Sequence, residues 1–473
     1  MSSERVVNKK DLRREQILHG NLYKVIITLS LPIMLSNLIQ TFYNLVDSYF
    51  VSILGELELT SIGVGWPIIF SIIGLGGGIS RGAVALISKH VGANEKEGAK
   101  LASAQIISFS FLLGIVMSVI GFLVTPYILN LMQVTGELYD IALQYINIIF
   151  IGVPFMYLFF AFQAIEQAQG NMVLPMILSG ASVVLNIILD PIFIFSFDLG
   201  VPGAAIATIL SRIALGIFSI AYYFISNKTK YKPSLPMLLP NVKVIAQICK
   251  TGVPASVGQV TASIGFMVLN GLVLSYGVDV LAAYIIGNRI VSLVMMPCMG
   301  IGNALSTIIG QNLGAGLVSR AKEALGKAFV VSLSMAVVGI TFLLFMSEGF
   351  IKIFTDSPSV IEYANEFALI ITLAMPLMSI FDIWNGLFIG ANRGTFAMIV
   401  MMSRLWVYRI PSILIFKYIF HIDEHAIWYP MIISNVLACL TGFVLYKRGN
   451  IFTNTMHVDL EELSLKESWI RWN

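Results

Sequence analysis

The chain has 473 residues, 57% of them hydrophobic and only 12% charged, with a formal net charge of +3. Soluble domains carry roughly 25% charged residues, so this composition, with a mean hydropathy of +0.85, excludes a soluble domain and predicts a membrane protein. The small net charge reflects an uneven loop distribution and gives no reason to expect nucleic acid as a partner.

The N-terminal tail MSSERVVNKKDLRREQ is charged and leads into a long apolar run. That run is too long for a signal h-region and lacks a small-residue cleavage site, so no cleavable signal is expected. Windows of about 20 apolar residues, enough to cross a bilayer, predict twelve transmembrane helices. They fall at 25–53, 59–87, 101–124, 139–167, 171–196, 203–226, 241–275, 280–309, 324–346, 360–389, 395–419 and 426–446. With the N-terminus in the cytoplasm, most lysines and arginines fall in cytoplasmic tails and loops, including Lys89, Lys96, Lys100, Lys228, Lys230, Arg320 and Lys447. Only Lys352 and Lys417 fall in far-side loops, which are acidic instead (Glu56, Glu58, Asp198, Asp356). The positive-inside rule therefore puts both termini in the cytoplasm.

Within the first span, QTFYNLVDSYF carries an aspartate. Asn37, Gln40, Thr41, Asn44, Asp47 and Ser48 recur every three or four residues, which gathers them on one helical face. In the second span the run GLGGGISRG (74–82) lacks the Lys-Ser/Thr ending of a phosphate loop and reads as close helix packing. The fifth span places Asn186 and Asp190 four apart, and the sixth contains Thr208. Glu166 and Asp382 lie near the ends of spans four and ten. Arg404 and Arg409, in span eleven, read as snorkelling or carbonyl-bound. Cys249, Cys298 and Cys439 show no metal or redox spacing and read as core residues.

The sequence also repeats. A shift of 222 residues brings Pro32 onto Pro254, Gly55 onto Gly277, and 85–100 onto 307–322 without a gap. A shift of 220 then brings Gly170 onto Gly390 and Pro191 onto Pro411. Six spans per copy make the copies parallel, so two six-helix bundles flank a central cleft. The resulting plan is an N-terminal tail (1–24), a first bundle (25–226), a Lys- and Pro-rich linker (227–240), a second bundle (241–446) and a C-terminal tail (447–473). Such a pair suits alternating access better than a pore.

The polar cluster belongs to one copy. Asp47 corresponds to Leu269, Asn44 to Phe266, Gln40 to Ala262, Asn186 to Trp406, Asp190 to Ile410 and Thr208 to Trp428. The bundle therefore folds without these polar groups. Interhelical hydrogen bonds are worth about 0.6 kcal/mol on average, whereas a carboxylate at a helix centre costs about 2.5–3.5 kcal/mol. This imbalance points to function for Asp47 and Asp190. Carboxylates in a partly dry pocket favour the neutral form and can exchange protons. With Asn186 and Thr208 they could equally offer hard oxygens to Na⁺.

SLPIMLSNLIQTFYNLVDSYFVSILG, with VLNIILDPIFIF and LGVPGAAIAT, resembles the MATE (multidrug and toxic compound extrusion) transporters, DinF-like branch, over about Asn21 to Gly449. The resemblance implies an all-α fold of the MOP superfamily and a secondary exporter, with no cofactor, that exchanges H⁺ and/or Na⁺ for amphipathic, cationic, drug-like molecules. Its cation site maps to Asp47, Asn44, Asn186, Asp190, Thr208 and Tyr145. Its substrate contacts map to Gln40 and Gln163, and its bending proline to Pro32. A monomer in a prokaryotic inner membrane is expected. Two departures stand out: the end of span four reads Gln167-Ala168-Gln169-Gly170 after an unusual Glu166, and Ala262 stands where some relatives place a glutamate. The alternative within transport is a flippase for lipid-linked or polyisoprenoid sugars, which would need an arginine-lined cleft; only Arg81, Arg212, Arg289, Arg404 and Arg409 are available for one, and most fall near span ends. An intramembrane enzyme is not expected, since there is no HExxH, GxSxG or His/Asp constellation.

Overall fold

A computed structural model describes residues 9–225 and 231–452. The parts of the expected tails and linker at 1–8, 226–230 and 453–473 lie outside the described residues, Lys228 and Lys230 among them. The described residues form helices joined by short loops, with no strand among them, and twelve of the helices are long and apolar enough to cross a membrane. A short helix, α1 (Lys9–His19), precedes α2 (Leu22–Ser52), α3 (Glu56–Ala93), α4 (Lys96–Leu131), α5 (Glu137–Ala168), α6 (Val173–Pro191) and α7 (Gly200–Ile225). The second set is α8 (Val242–Leu274), α9 (Val278–Gly314), α10 (Val318–Phe354), α11 (Pro358–Gly390), α12 (Gly394–Met402), α13 (Ile410–Tyr418) and α14 (His425–Arg448). A π-helical turn, Ser403–Arg409, joins α12 to α13, and another, Ile192–Ser196, extends α6.

Helix ends follow local chemistry. Asn21 caps α2 by accepting from the Tyr23 and Lys24 amides, and Asn241 caps α8 by accepting from Val244 N. At 1.5 Å per residue, α3 is about 57 Å long, well beyond the roughly 30 Å hydrocarbon core. α2 shows the two-faced character read from its sequence. Leu31, Leu35, Leu38, Phe42, Leu45 and Tyr49 are exposed, as a lipid-facing stripe would be, while Tyr43 is buried.

The halves meet along α3, α8, α9 and α2, and they seal at the end that carries α1. Four glycines allow the contact. A Cβ on Gly78 would lie 2.3 Å from Ser256 N, one on Gly82 2.3 Å from Ile248 O, one on Gly92 2.0 Å from Gln311 O, and one on Gly314 2.0 Å from Lys89 O. The glycine run thus permits close packing, as its sequence suggests, except that Gly77 faces open space. Hydrogen bonds reinforce the seal: Ser256 Oγ donates to Leu75 O at 2.7 Å, Thr307 Oγ1 to Gln167 O at 3.1 Å, and Gln311 Nε2 to Ala168 O at 2.7 Å.

α1 straps this end. Arg14 Nη2 donates to Gly92 O at 2.7 Å on the first half, while Arg320 of α10 donates to Ile17 O and Gly20 O at 3.2 and 2.5 Å. The described part of the linker is docked, not loose. Gln105 Nε2 donates to Met237 O and Leu239 O at 2.6 and 2.7 Å, and Ser108 Oγ to Leu238 O at 2.7 Å.

Candidate functional site: two cavities joined by one helix

The residues singled out in the first half converge. Gln40, Asn44 and Asp47 of α2, Tyr145 of α5 and Thr208 of α7 line a cavity of about 100 Å³. One helical face supplies the α2 groups, at the three- and four-residue spacing that defines such a face. Gln40 Nε2 donates to Asn44 Oδ1 at 3.4 Å, and the Tyr43 and Thr208 hydroxyls pair at 3.1 Å. Asn186 and Asp190 are buried in α6, with 1% and 0% of their surfaces exposed. Asn186 Nδ2 donates to Asp190 Oδ1 at 3.1 Å. Asp190 is close enough to feel the charge of Asp47, and both act on Tyr43 and Tyr145.

Two oxygens in this cluster stand out. Asn186 Oδ1 and Asp190 Oδ2 are buried and have no hydrogen-bond partner among the described residues. Buried polar atoms are normally satisfied, and an orphan costs about 1–3 kcal/mol. A proton on Asp190 or a small cation bound to both oxygens would satisfy them. Oxygen donors of this type suit a hard cation.

Two neighbours were not assigned to this site from the sequence. Tyr43 lies four residues before Asp47 and so on its face, but reads as an ordinary apolar aromatic. Arg212 lies four residues after Thr208, inside α7 and away from its ends. It lines the same cavity, stands 5.5 Å over the Tyr43 ring, and donates to Gln40 Oε1 at 3.4 Å.

Four of the six matched places in the second half lie in apolar core, while Ala262 and Phe266 line a cavity between the halves. Leu269 has none of its surface exposed and Trp428 has 1%. Trp428 packs edge-on against Phe367 at 4.9 Å and stacks on Tyr284 at 6.2 Å. Leu269, Ile410 and Trp406 belong to the same apolar cluster.

A second, larger cavity of about 600 Å³ lies between the halves. Gln163 lines this one, whereas Gln40 lines the smaller one, so the two residues expected to touch substrate face different spaces. α2 serves both: Ile33, Ser36 and Asn37 line the central cavity, and Gln40 to Asp47 line the smaller one. Pro32, at the edge of this wall, sits inside a continuous helix. Lacking an N–H, it leaves that turn without one backbone hydrogen bond.

The arginines correct an expectation. Arg404 and Arg409 do not snorkel; with Arg81 and Asp382 they are the charged lining of the central cavity. Arg404 lies 4.0 Å over the Phe381 ring, and Arg409 Nε donates to Ser434 Oγ at 3.0 Å. Both stand on the π turn Ser403–Arg409, in the middle of the Gly394–Tyr418 span and too far from either end to snorkel.

Glu166 belongs to neither cavity. It is buried near the sealed end and accepts from Tyr223 Oη at 2.7 Å and from Asn171 Nδ2. These bonds mark it as a structural anchor. Tyr223→Phe, which leaves one buried acceptor unpaired, is expected to cost about 1–3 kcal/mol. The check is a lower melting midpoint in detergent with export retained.

The fold and its cavities define a multi-pass membrane protein with two six-helix halves and a polar cavity lined by the first half alone. Comparison with known proteins agrees. The MatE family pattern matches residues 32–192 and 254–415, once in each half. Multidrug export protein MepA of Staphylococcus aureus (strain NCTC 8325 / PS 47) is 30% identical over 455 residues, covering 93% of this chain and 96% of its own. The outward-facing conformation of a multidrug resistance MATE family transporter of the MOP superfamily superposes with a TM-score of 0.87 at 26% identity, covering 92% of this chain and 97% of that one. A MATE crystal structure in the bent conformation gives the same TM-score and identity, covering 93% and 97%. The chain belongs to the MatE family: it is a membrane transporter, not an enzyme.

Proposed function

We propose that the protein is a secondary antiporter that exports amphipathic small organic molecules, multidrug substrates among them, in exchange for H⁺ or Na⁺. It would act as a monomer in a prokaryotic inner membrane, with both termini cytoplasmic and no cofactor. The observation that carries this reading is the unpartnered oxygen pair, Asn186 Oδ1 and Asp190 Oδ2, buried beside Asp47 in one half only. In this reading Asp190, Asn186 and Asp47 bind and release the coupling ion, with Thr208, Tyr145 and Asn44 around them. α2 carries the signal, because one helix walls both the ion site and the substrate cavity, with Pro32 between the sealed end and the site. With the termini cytoplasmic, the sealed end faces the cytoplasm and the state described is outward-facing.

Each pH unit across the membrane supplies about 1.4 kcal/mol per proton, which sustains about a tenfold substrate gradient. Purified protein in liposomes, given a pH gradient and a Na⁺ gradient separately, is expected to expel a fluorescent dye under one of the two. Expulsion under neither gradient, with the protein shown folded and inserted, would overturn the antiport reading.

A further inference from the structure

We propose that the central cavity binds an amphiphile through an anionic group, a carboxylate, sulfonate or phosphate, and that its preferred substrate is not an organic cation. The inference rests on the transport reading only for the claim that what binds there is moved.

The charged lining consists of three guanidiniums, Arg81, Arg404 and Arg409, against one carboxylate, Asp382. Asp382 feels both Arg81 and Arg404, but a single carboxylate can neutralise only one of them. Arg409 has Ser434 as a neutral partner, and no ion pair within 4 Å joins any of the three to an acid among the described residues. An organic cation here would face a net repulsive wall in a space only partly open to solvent, where charges are poorly screened. An anion would meet planar, fixed-charge forks suited to carboxylate, sulfonate or phosphate oxygens.

The fold does not demand these arginines. Under the internal repeat, Arg81 corresponds to Asn303, Arg404 to Val184 and Arg409 to Leu189. The first bundle is therefore built without arginines at the places of the second pair. Interior guanidiniums are costly to keep, and the π turn that carries two of them is a feature found often at functional sites.

The rest of the wall suits an amphiphile. Met295, Met299, Met378, Met401, Met431 and Phe266 supply apolar surface, and thioethers adapt to varied shapes. Asn385 Oδ1, buried in this lining without a partner among the described residues, can accept from a hydroxyl or amide of the same molecule.

The test is binding to the purified full-length chain in detergent with no ion gradient, measured by calorimetry. Anilinonaphthalene sulfonate is expected to bind at least about tenfold more tightly than ethidium. Arg404→Gln and Arg81→Gln should each weaken the sulfonate about tenfold, with Arg404→Lys recovering part of the loss. Asp382→Asn should tighten it, a gain that misfolding cannot produce. Ethidium binding as tightly as the sulfonate, or sulfonate binding indifferent to all four variants, would overturn the proposal. Displacement of the sulfonate by a short-chain phosphatidate identifies a lipid headgroup as the anion, and failure to displace it identifies a soluble amphiphile. Both of these outcomes sustain an anion site. Because binding needs no coupling ion, loss of sulfonate binding and loss of gradient-driven export fail independently.

Discussion

Gradient-driven export by Asp190→Asn, and by Asp47→Asn, is expected to fall to the leak of protein-free liposomes while both variants remain folded. The amide preserves the shape of the carboxylate and can still accept from Asn186 Nδ2, a contact that spans 3.1 Å in the native site. Only the ability to take up and release a proton, or to neutralise a bound cation, is removed. Stability should not suffer, because deleting a buried, incompletely paired charge removes a desolvation cost. The melting midpoint of Asp190→Asn is therefore expected to equal or exceed that of the native protein. Leu269→Ile provides the internal control at the place matched to Asp47. Leu269 is fully buried in apolar core, and a volume-conserving swap there costs less than about 1.5 kcal/mol and should leave export largely intact. Native export by either aspartate variant rejects the ion site. Equal loss of export in the leucine variant rejects the argument from asymmetry.

That argument shows what the sequence could reveal. The spans were legible because lipid imposes one rule on every crossing helix, a long apolar run with its backbone satisfied internally. Asp47, Asn186, Asp190 and Thr208 were legible for a different reason. The chain carries its own comparison, so apolar groups at Leu269, Trp406, Ile410 and Trp428 mark their partners as dispensable for folding. Tyr43 and Arg212 stand at the right four-residue spacing, but an aromatic or a lone arginine in a span has many ordinary explanations. Arg404 and Arg409 were misread because an arginine in a span is most simply explained by snorkelling, and only the packing of the two halves shows that both face a cavity between them. The strap formed by Arg14 and Arg320 could not be read at all. Both bond backbone carbonyls far away in the chain, and carbonyls carry no sequence signature.

Gly82→Leu is expected to abolish export by a different route, by preventing the sealed end from closing. A Cβ at residue 82 would stand 2.3 Å from Ile248 O and 2.6 Å from Gly252 N, both backbone atoms of α8 that cannot swing aside. Forcing side chains into a packed interface typically costs about 1–3 kcal/mol, and a whole leucine against backbone lies at the upper end. If the protein alternates between two states of a few kcal/mol difference, that penalty falls only on the state sealed here and shifts the population toward the other. A cysteine placed at Ser306, which lines the central cavity beside the seal, reports the shift. Its labelling by a membrane-impermeant thiol reagent from the terminus-bearing side should rise about tenfold in Gly82→Leu. Gly63→Leu, on the same helix where a Cβ meets nothing within 4 Å, should leave both labelling and export near native. Lost export with unchanged labelling would mean that Gly82 serves folding alone. Native export with Gly82→Leu would mean that this seal never has to form, which alternating access through the central cavity does not permit.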